Sequence, residues 1–92
     1  MAVVQYFRVP VFIGSQHRSA YFYESETGLF DLQYGCGKYT RRMHDSLREA
    51  MGDFLRHLQS EHSALGDGLI ASLGEPVEVH WDEVKQASPA KE

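Results

Sequence analysis

Cys36 sits between Gly35 and Gly37, just before Lys38, Arg41 and Arg42, and His44 follows eight residues on. Neighbouring cations lower a thiol's pKa and raise its thiolate fraction, and a nearby histidine can serve as base. A catalytic Cys–His pair also needs a group to orient the histidine and a place for an oxyanion, and no spacing in the chain supplies either. The same stretch reads as an anion site, since glycines let backbone N–H groups converge and Lys38, Arg41 and Arg42 add charge near a helix start. A phosphate-binding loop, however, sets its lysine after a longer glycine-bracketed turn and before Ser or Thr, and Gly-Cys-Gly-Lys does not. The plainer reading is that the glycines turn the chain from sheet to helix and that Cys36 is incidental.

Five histidines raise the question of a metal. Glu49, Asp53, His57 and Glu61 recur every four residues along one edge of a helix, where two or three could meet an ion. A solvated helix flank has the same pattern. His44 and His62 would lie about 27 Å apart on one continuous helix, too far to share a ligand. No His-Glu-x-x-His occurs, and a lone cysteine excludes a multi-cysteine zinc site. No metal and no cofactor is therefore expected, and no catalytic residue is assigned. Tyr21-Phe22-Tyr23 has the aromatic density of a stacking platform for single-stranded RNA. A net charge of −4 and a pI near 5.7 argue against that use, and against direct DNA binding.

The elements that must position these residues follow from their periodicities. Val3 to Ile13 is β-branched and aromatic, with Val3, Phe7, Val9, Val11 and Ile13 on one face and Tyr6, Arg8, Pro10 and Phe12 on the other. Pro10 cannot donate to a ladder, so the strand is expected to be at an edge or bulged there. Gly14 to Arg18 suits a hairpin connection, and Ser19 to Glu24 a second strand, with Ala20 and Phe22 facing away from Tyr21 and Tyr23. Ser25-Glu26-Thr27-Gly28 has the composition of a tight turn with Gly28 in the left-handed position. Leu29 to Tyr34 then alternates as a third strand, Phe30, Leu32 and Tyr34 against Leu29, Asp31 and Gln33.

Leu47, Ala50, Met51, Phe54, Leu58 and Leu65 fall in one helical arc, with Met43 and Leu55 on its margins. Thr40 could cap this helix, but Ser46 with Glu49 forms the firmer capping box. The helix should end between His62 and Leu65, before Gly66-Asp67-Gly68. Leu69 to Leu73 reads as a short helix capped by Asp67 rather than a strand. Val77, Val79 and Trp81 alternate with Glu78 and His80 as a fourth strand, and the polar residues 82–92 should form a disordered tail. The expected fold is α+β: a three-stranded antiparallel meander, one long amphipathic helix and a fourth strand (β-β-β-α-β) in a single two-layer domain over residues 1–81.

Composition sets the function classes. With 92 residues, 42% hydrophobic and 24% charged, the chain has room for one globular domain. At this size stability is on the order of 5 kcal/mol. No apolar run reaches the roughly 18 residues of a membrane span, and Met1-Ala2-Val3-Val4 lacks the layout of a secretory signal, so a cytoplasmic protein is expected. Residues 1–56 carry net +1 and residues 57–92 net −5, so the acidity lies in the C-terminal third. One helix covers one face of a sheet, which should leave Tyr6, Tyr21 and Tyr23 exposed on the other. An aromatic patch beside Glu75, Glu78, Asp82 and Glu83 suits a protein partner, and a basic one, such as a protein acting on nucleic acid, best of all. Self-association through the sheet edge, giving a homodimer, is a further expectation.

Asp31-Leu32-Gln33-Tyr34-Gly35-Cys36 is similar to the Asp-Leu-Pro-Gly-Cys that ends the third strand of HicB-family antitoxin N-terminal domains. Asp45-Ser46-Leu47-Arg48-Glu49-Ala50-Met51 is similar to that family's Asp-Thr-Leu-Glu-Glu-Ala-Leu helix start, and Gly74-Glu75-Pro76 to its Gly-Glu-Pro. Over residues 1–81 the chain thus resembles this partial RNase H-like domain, which implies a β-β-β-α-β architecture and an antitoxin- or inhibitor-like, non-enzymatic role. It departs from the pattern in Tyr34, which replaces the proline and adds a residue, and in a stretch between Cys36 and Ser46 about four residues longer. No ribbon-helix-helix or helix-turn-helix follows residue 81, so the resemblance implies no autoregulation by DNA binding.

Overall fold

The computed structural model describes residues 2–35, 42–65 and 70–87. Strands β1 (Val3–Ile13), β2 (Gln16–Ser25) and β3 (Phe30–Tyr34) precede helix α1 (Leu47–Leu65), and β4 (Ala71–Leu73), β5 (Val77–Val79) and helix α2 (Trp81–Ala87) complete the chain. All pairings are antiparallel. The order across the sheet is β3-β2-β1, with β4 and β5 lying end to end along the outer side of β1. The α+β meander followed by a long helix is as the sequence predicts; the expected fourth strand is β5, cut short at Val79, and the sheet has five strands because residues 71–73, expected as a short helix, add β4.

Glycine conformation sets the two hairpins. Gly14 takes φ +60°, which suits a two-residue turn whose first central residue has positive φ, so β2 begins at Gln16 rather than at Ser19. Gly28 takes the expected left-handed φ of +82°. Around it the buried Ser25 hydroxyl accepts the amides of Thr27 and Leu29, both at 3.3 Å. Ser46 caps α1 as expected, its Oγ accepting the Glu49 amide at 3.1 Å.

The odd-numbered side chains of β1 and the Ala20–Phe22–Leu32 row meet the arc of α1. Val9, Ile13, Phe22 and Phe54 are buried there, and the Phe22 and Phe54 rings pack edge to face at 5.7 Å. A register shift between Tyr21 and Phe22 makes Gln33 the extra residue of a bulge. It places Tyr34 opposite Tyr21, away from the Phe30 and Leu32 row that simple alternation assigns it to.

Pro10 explains why the outer strand is split. β1 pairs on both sides, so Pro10 is neither on a sheet edge nor in a bulge. Instead its partner strand breaks opposite it: β4 pairs with Val11–Ile13, β5 with Tyr6–Arg8, and only the Gly74 amide reaches the Pro10 carbonyl, at 2.9 Å. A Cβ at position 74 would stand 3.1 Å from the proline Cγ, so the close approach needs glycine. This pairing also turns residues 71–73 from the expected short helix into a strand. Three residues cannot sustain a helical turn's hydrogen bonds, whereas β1 offers them partners at once.

The polar stretch after Trp81 is not wholly a tail. Residues 81–87 form α2, with Val84 fully buried, acidic Asp82 and Glu83 in its first turn and Lys85 in its last. That charge order complements the helix dipole.

Candidate functional site

The expected exposed tyrosine patch is absent, because α2 lies over it. Tyr21 and Tyr23 are 6% and 8% exposed. Tyr6 is half-buried, its ring 5.2 Å from that of Trp81. Glu83 accepts from both the Arg8 guanidinium and the Tyr21 hydroxyl, the latter at 3.1 Å. Hydrogen bonding from Arg8 holds the Glu83 carboxyl below its ordinary range, while burial, and then the Glu83 contact, pushes the Tyr21 phenol up. Tyr23 meets Met43 on the same face, hydroxyl to sulfur 3.8 Å. Tyr6, Tyr21, Tyr23 and Glu83 therefore hold the molecule together. The signal for this was the three-residue spacing of Trp81 and Val84 between acidic and basic ends, too short to stand out from a polar tail.

Three of the expected partner-binding residues remain on the surface: Glu75, Glu78 and Asp82 are exposed. They fall in the same stretch of chain, 70–82, as the exposed apolar side chains Ile70 at 78%, Val77 at 45% and Trp81 at 40%. The outer edge of β4 also has free backbone. The bonds from Gly14 to the Ile70 carbonyl and from Gly74 to the Pro10 carbonyl turn the even-numbered residues of β4 toward β1. Ala71 and Leu73 then point their backbone groups outward. The Ala71 carbonyl accepts Gln59 Nε2 at 3.4 Å, and Leu73 has no partner on that side among the described residues.

The basic region divides. Cys36, Lys38 and Arg41 lie outside the described residues. Arg42 is exposed, with Nη2 3.7 Å from Asp53 Oδ1; Arg56 Nη2 is 3.6 Å from the same oxygen, and His44 Nε2 is 3.3 Å from Asp53 Oδ2. Two guanidinium groups and an imidazole thus converge on a carboxylate of the chain itself, which works against a free anion there. His44 is further committed through its backbone, whose N–H and C=O exchange 2.8 Å bonds with Phe30 and cover the free edge of β3. Among the described residues no three His, Cys, Asp or Glu side chains approach closely enough to hold a metal, and His57 and Glu61 pair loosely at 4.0 Å.

Two open hollows flank α1 and share Arg48 and Gly52. One, of about 410 Å³, is lined by His44, Arg48, Glu49, Gly52 and Arg56. The other, of about 300 Å³, lies between the helix and β4 against Met51, Leu55, Ser72 and Leu73. The sequence does not reveal this second hollow: Met51 belongs to the apolar arc, Leu55 to its margin, and Leu73 reads as part of a short helix.

Comparison with known proteins yields no match, whether to family models, curated sequences or solved structures. No helix among the described residues is long and apolar enough to cross a membrane.

Proposed function

We propose that the chain is a non-enzymatic protein-interaction module that receives its partner along the β4–β5 edge. The observation that carries this reading is the coincidence, in the short stretch 70–82, of exposed Ile70, Val77 and Trp81, exposed Glu75, Glu78 and Asp82, and a strand edge that no further strand covers among the described residues. Apolar side chains ringed by charge are what partner surfaces expose, and the acidic sign favours a basic partner. The resemblance to HicB-family antitoxins accords with a partner that acts on nucleic acid, bound and restrained by this acidic edge.

The test compares the protein with its E75K/E78K/D82K variant, both immobilised and exposed to source-cell lysate at low and moderate salt. Glu83 is left intact because Arg8 and Tyr21 depend on it. One stoichiometric protein retained by the unaltered chain, lost from the variant and weakening as salt rises, is the expected result. The same retained set on both, or none on either, overturns the reading.

A further inference from the structure

Resting on that reading, we propose that part of the partner is an extended peptide that adds as a strand to the outer side of β4. Its alternate apolar side chains enter the hollow between α1 and β4, and an acidic residue reaches Arg48. Three independent features meet at this place. Leu73 turns its N–H and C=O outward with no partner among the described residues, so one rung of a new ladder is already in position. Beside it, the hollow of about 300 Å³ is walled by Met51, Leu55 and Leu73, an apolar lining within reach of side chains from a strand on that edge. Alternate side chains of a strand are about 6.6 Å apart. Met51 and Leu55 are about 6 Å apart along the helix, so two successive inward side chains find one helical residue each. Arg48 stands at the end of this row, exposed and without an ion-pair partner among the described residues, where it also opens onto the basic hollow containing Arg56.

The charge distribution selects this occupant over a second copy of the chain. A second copy pairing antiparallel through Leu73 sets its Glu75 opposite Ala71, the end of β4 that Gln59 reaches, and so brings no acid to Arg48. A peptide of independent sequence can place its acid there. Gly52 forms the floor between the two hollows: a Cβ there would come no nearer than 3.8 Å to any neighbour, the Arg56 guanidinium, so the helix surface is low at this point for lack of a side chain rather than for tight packing.

Random octapeptides displayed on phage and selected on the immobilised full-length protein provide the probe, and a synthetic copy of the enriched sequence is then titrated by fluorescence polarisation. The expected result is a consensus of alternating apolar residues with one acid. Its affinity should fall at least tenfold on Leu55→Glu and severalfold on Arg48→Glu, an exposed position where folding is not at stake. N-methylation of the peptide backbone should abolish binding at alternate positions only, and the Leu73 amide should become protected from exchange in the complex. No enrichment, binding that survives both Arg48→Glu and every N-methylation, or a free chain that is already a dimer with its Leu73 amide protected overturns the proposal. Each of these leaves the lysate comparison, and hence the broader reading, to stand or fall separately.

Discussion

Helix α1 presses Ala50, Met51, Phe54 and Leu58 onto one face of the sheet, all buried, whereas α2 brings fully buried Val84 to the other. The rest of the second cover is polar or aromatic: Glu83 held by Arg8 and Tyr21, and Trp81 leaning on Tyr6. A nineteen-residue helix with a broad apolar stripe seals its face mainly through burial. A seven-residue helix is far below the length that sustains itself in water, so α2 persists only through its few contacts with the sheet. The second cover leans on an ionisable contact, Glu83 with Arg8 and Tyr21, and can be titrated.

The sharpest way to break this contrast is to empty each side in turn. Phe54→Ala should cost about 3–5 kcal/mol, and Val84→Ala about 2 kcal/mol, in urea denaturation. Val84→Asp should release α2, with a changed Trp81 emission while far-ultraviolet circular dichroism keeps the signal of α1; loss of both together would mean that the covers are not separable. Smaller is the effect at the split edge, where Gly74→Ala sets a Cβ against the Pro10 ring and should cost about 1–3 kcal/mol.

Acid tests the second cover through Glu83. The Glu83 carboxyl is held below its ordinary value near 4.5, so its contribution is complete above that pH and is lost as pH falls through the lower folded value. Tyr21, raised above its ordinary 10.0, contributes fully below that pH and loses its contribution as pH climbs through the higher folded value. Trp81 is the only tryptophan, so its emission should report detachment of α2 at both extremes, and Glu83→Gln should flatten the acid limb. A steep acid limb in Glu83→Gln would assign the titration elsewhere. The smallest effect expected is a gain: Gly52→Ala fills open space on α1 and should raise stability by about 0.5–1 kcal/mol.

The same contrast governs what the sequence could reveal. Strands β1 to β3 and helix α1 were legible because each repeats its signal many times: five apolar residues on one face of β1, six positions in one helical arc, a serine cap, a glycine at a left-handed turn. Where a single residue decides the outcome, local pattern fails. Val84, Glu83 and Trp81 each anchor α2 once, Gln33 alone shifts Tyr34 across the sheet, and the strand state of 71–73 depends on Val11–Ile13, about sixty residues away. The acidic side of the candidate edge was legible from charge bookkeeping, since Glu75, Glu78 and Asp82 did reach the surface. The burial of Tyr21 and Tyr23 is not legible, because a pattern with one long helix implies one covered face. The hollow beside β4 joins helix and strand residues that no sequence spacing connects.

The break at Pro10 has a bearing on polymerisation. An exposed sheet edge is a template on which further copies can stack into a fibril, and a long, flat edge is the most dangerous kind. Here the template is interrupted after three residues, where Gly74 turns inward to the proline carbonyl and Pro76 brings a second ring lacking an N–H. Each surviving stretch, about 10 Å long, is enough to align a short guest strand and too little to nucleate a growing stack.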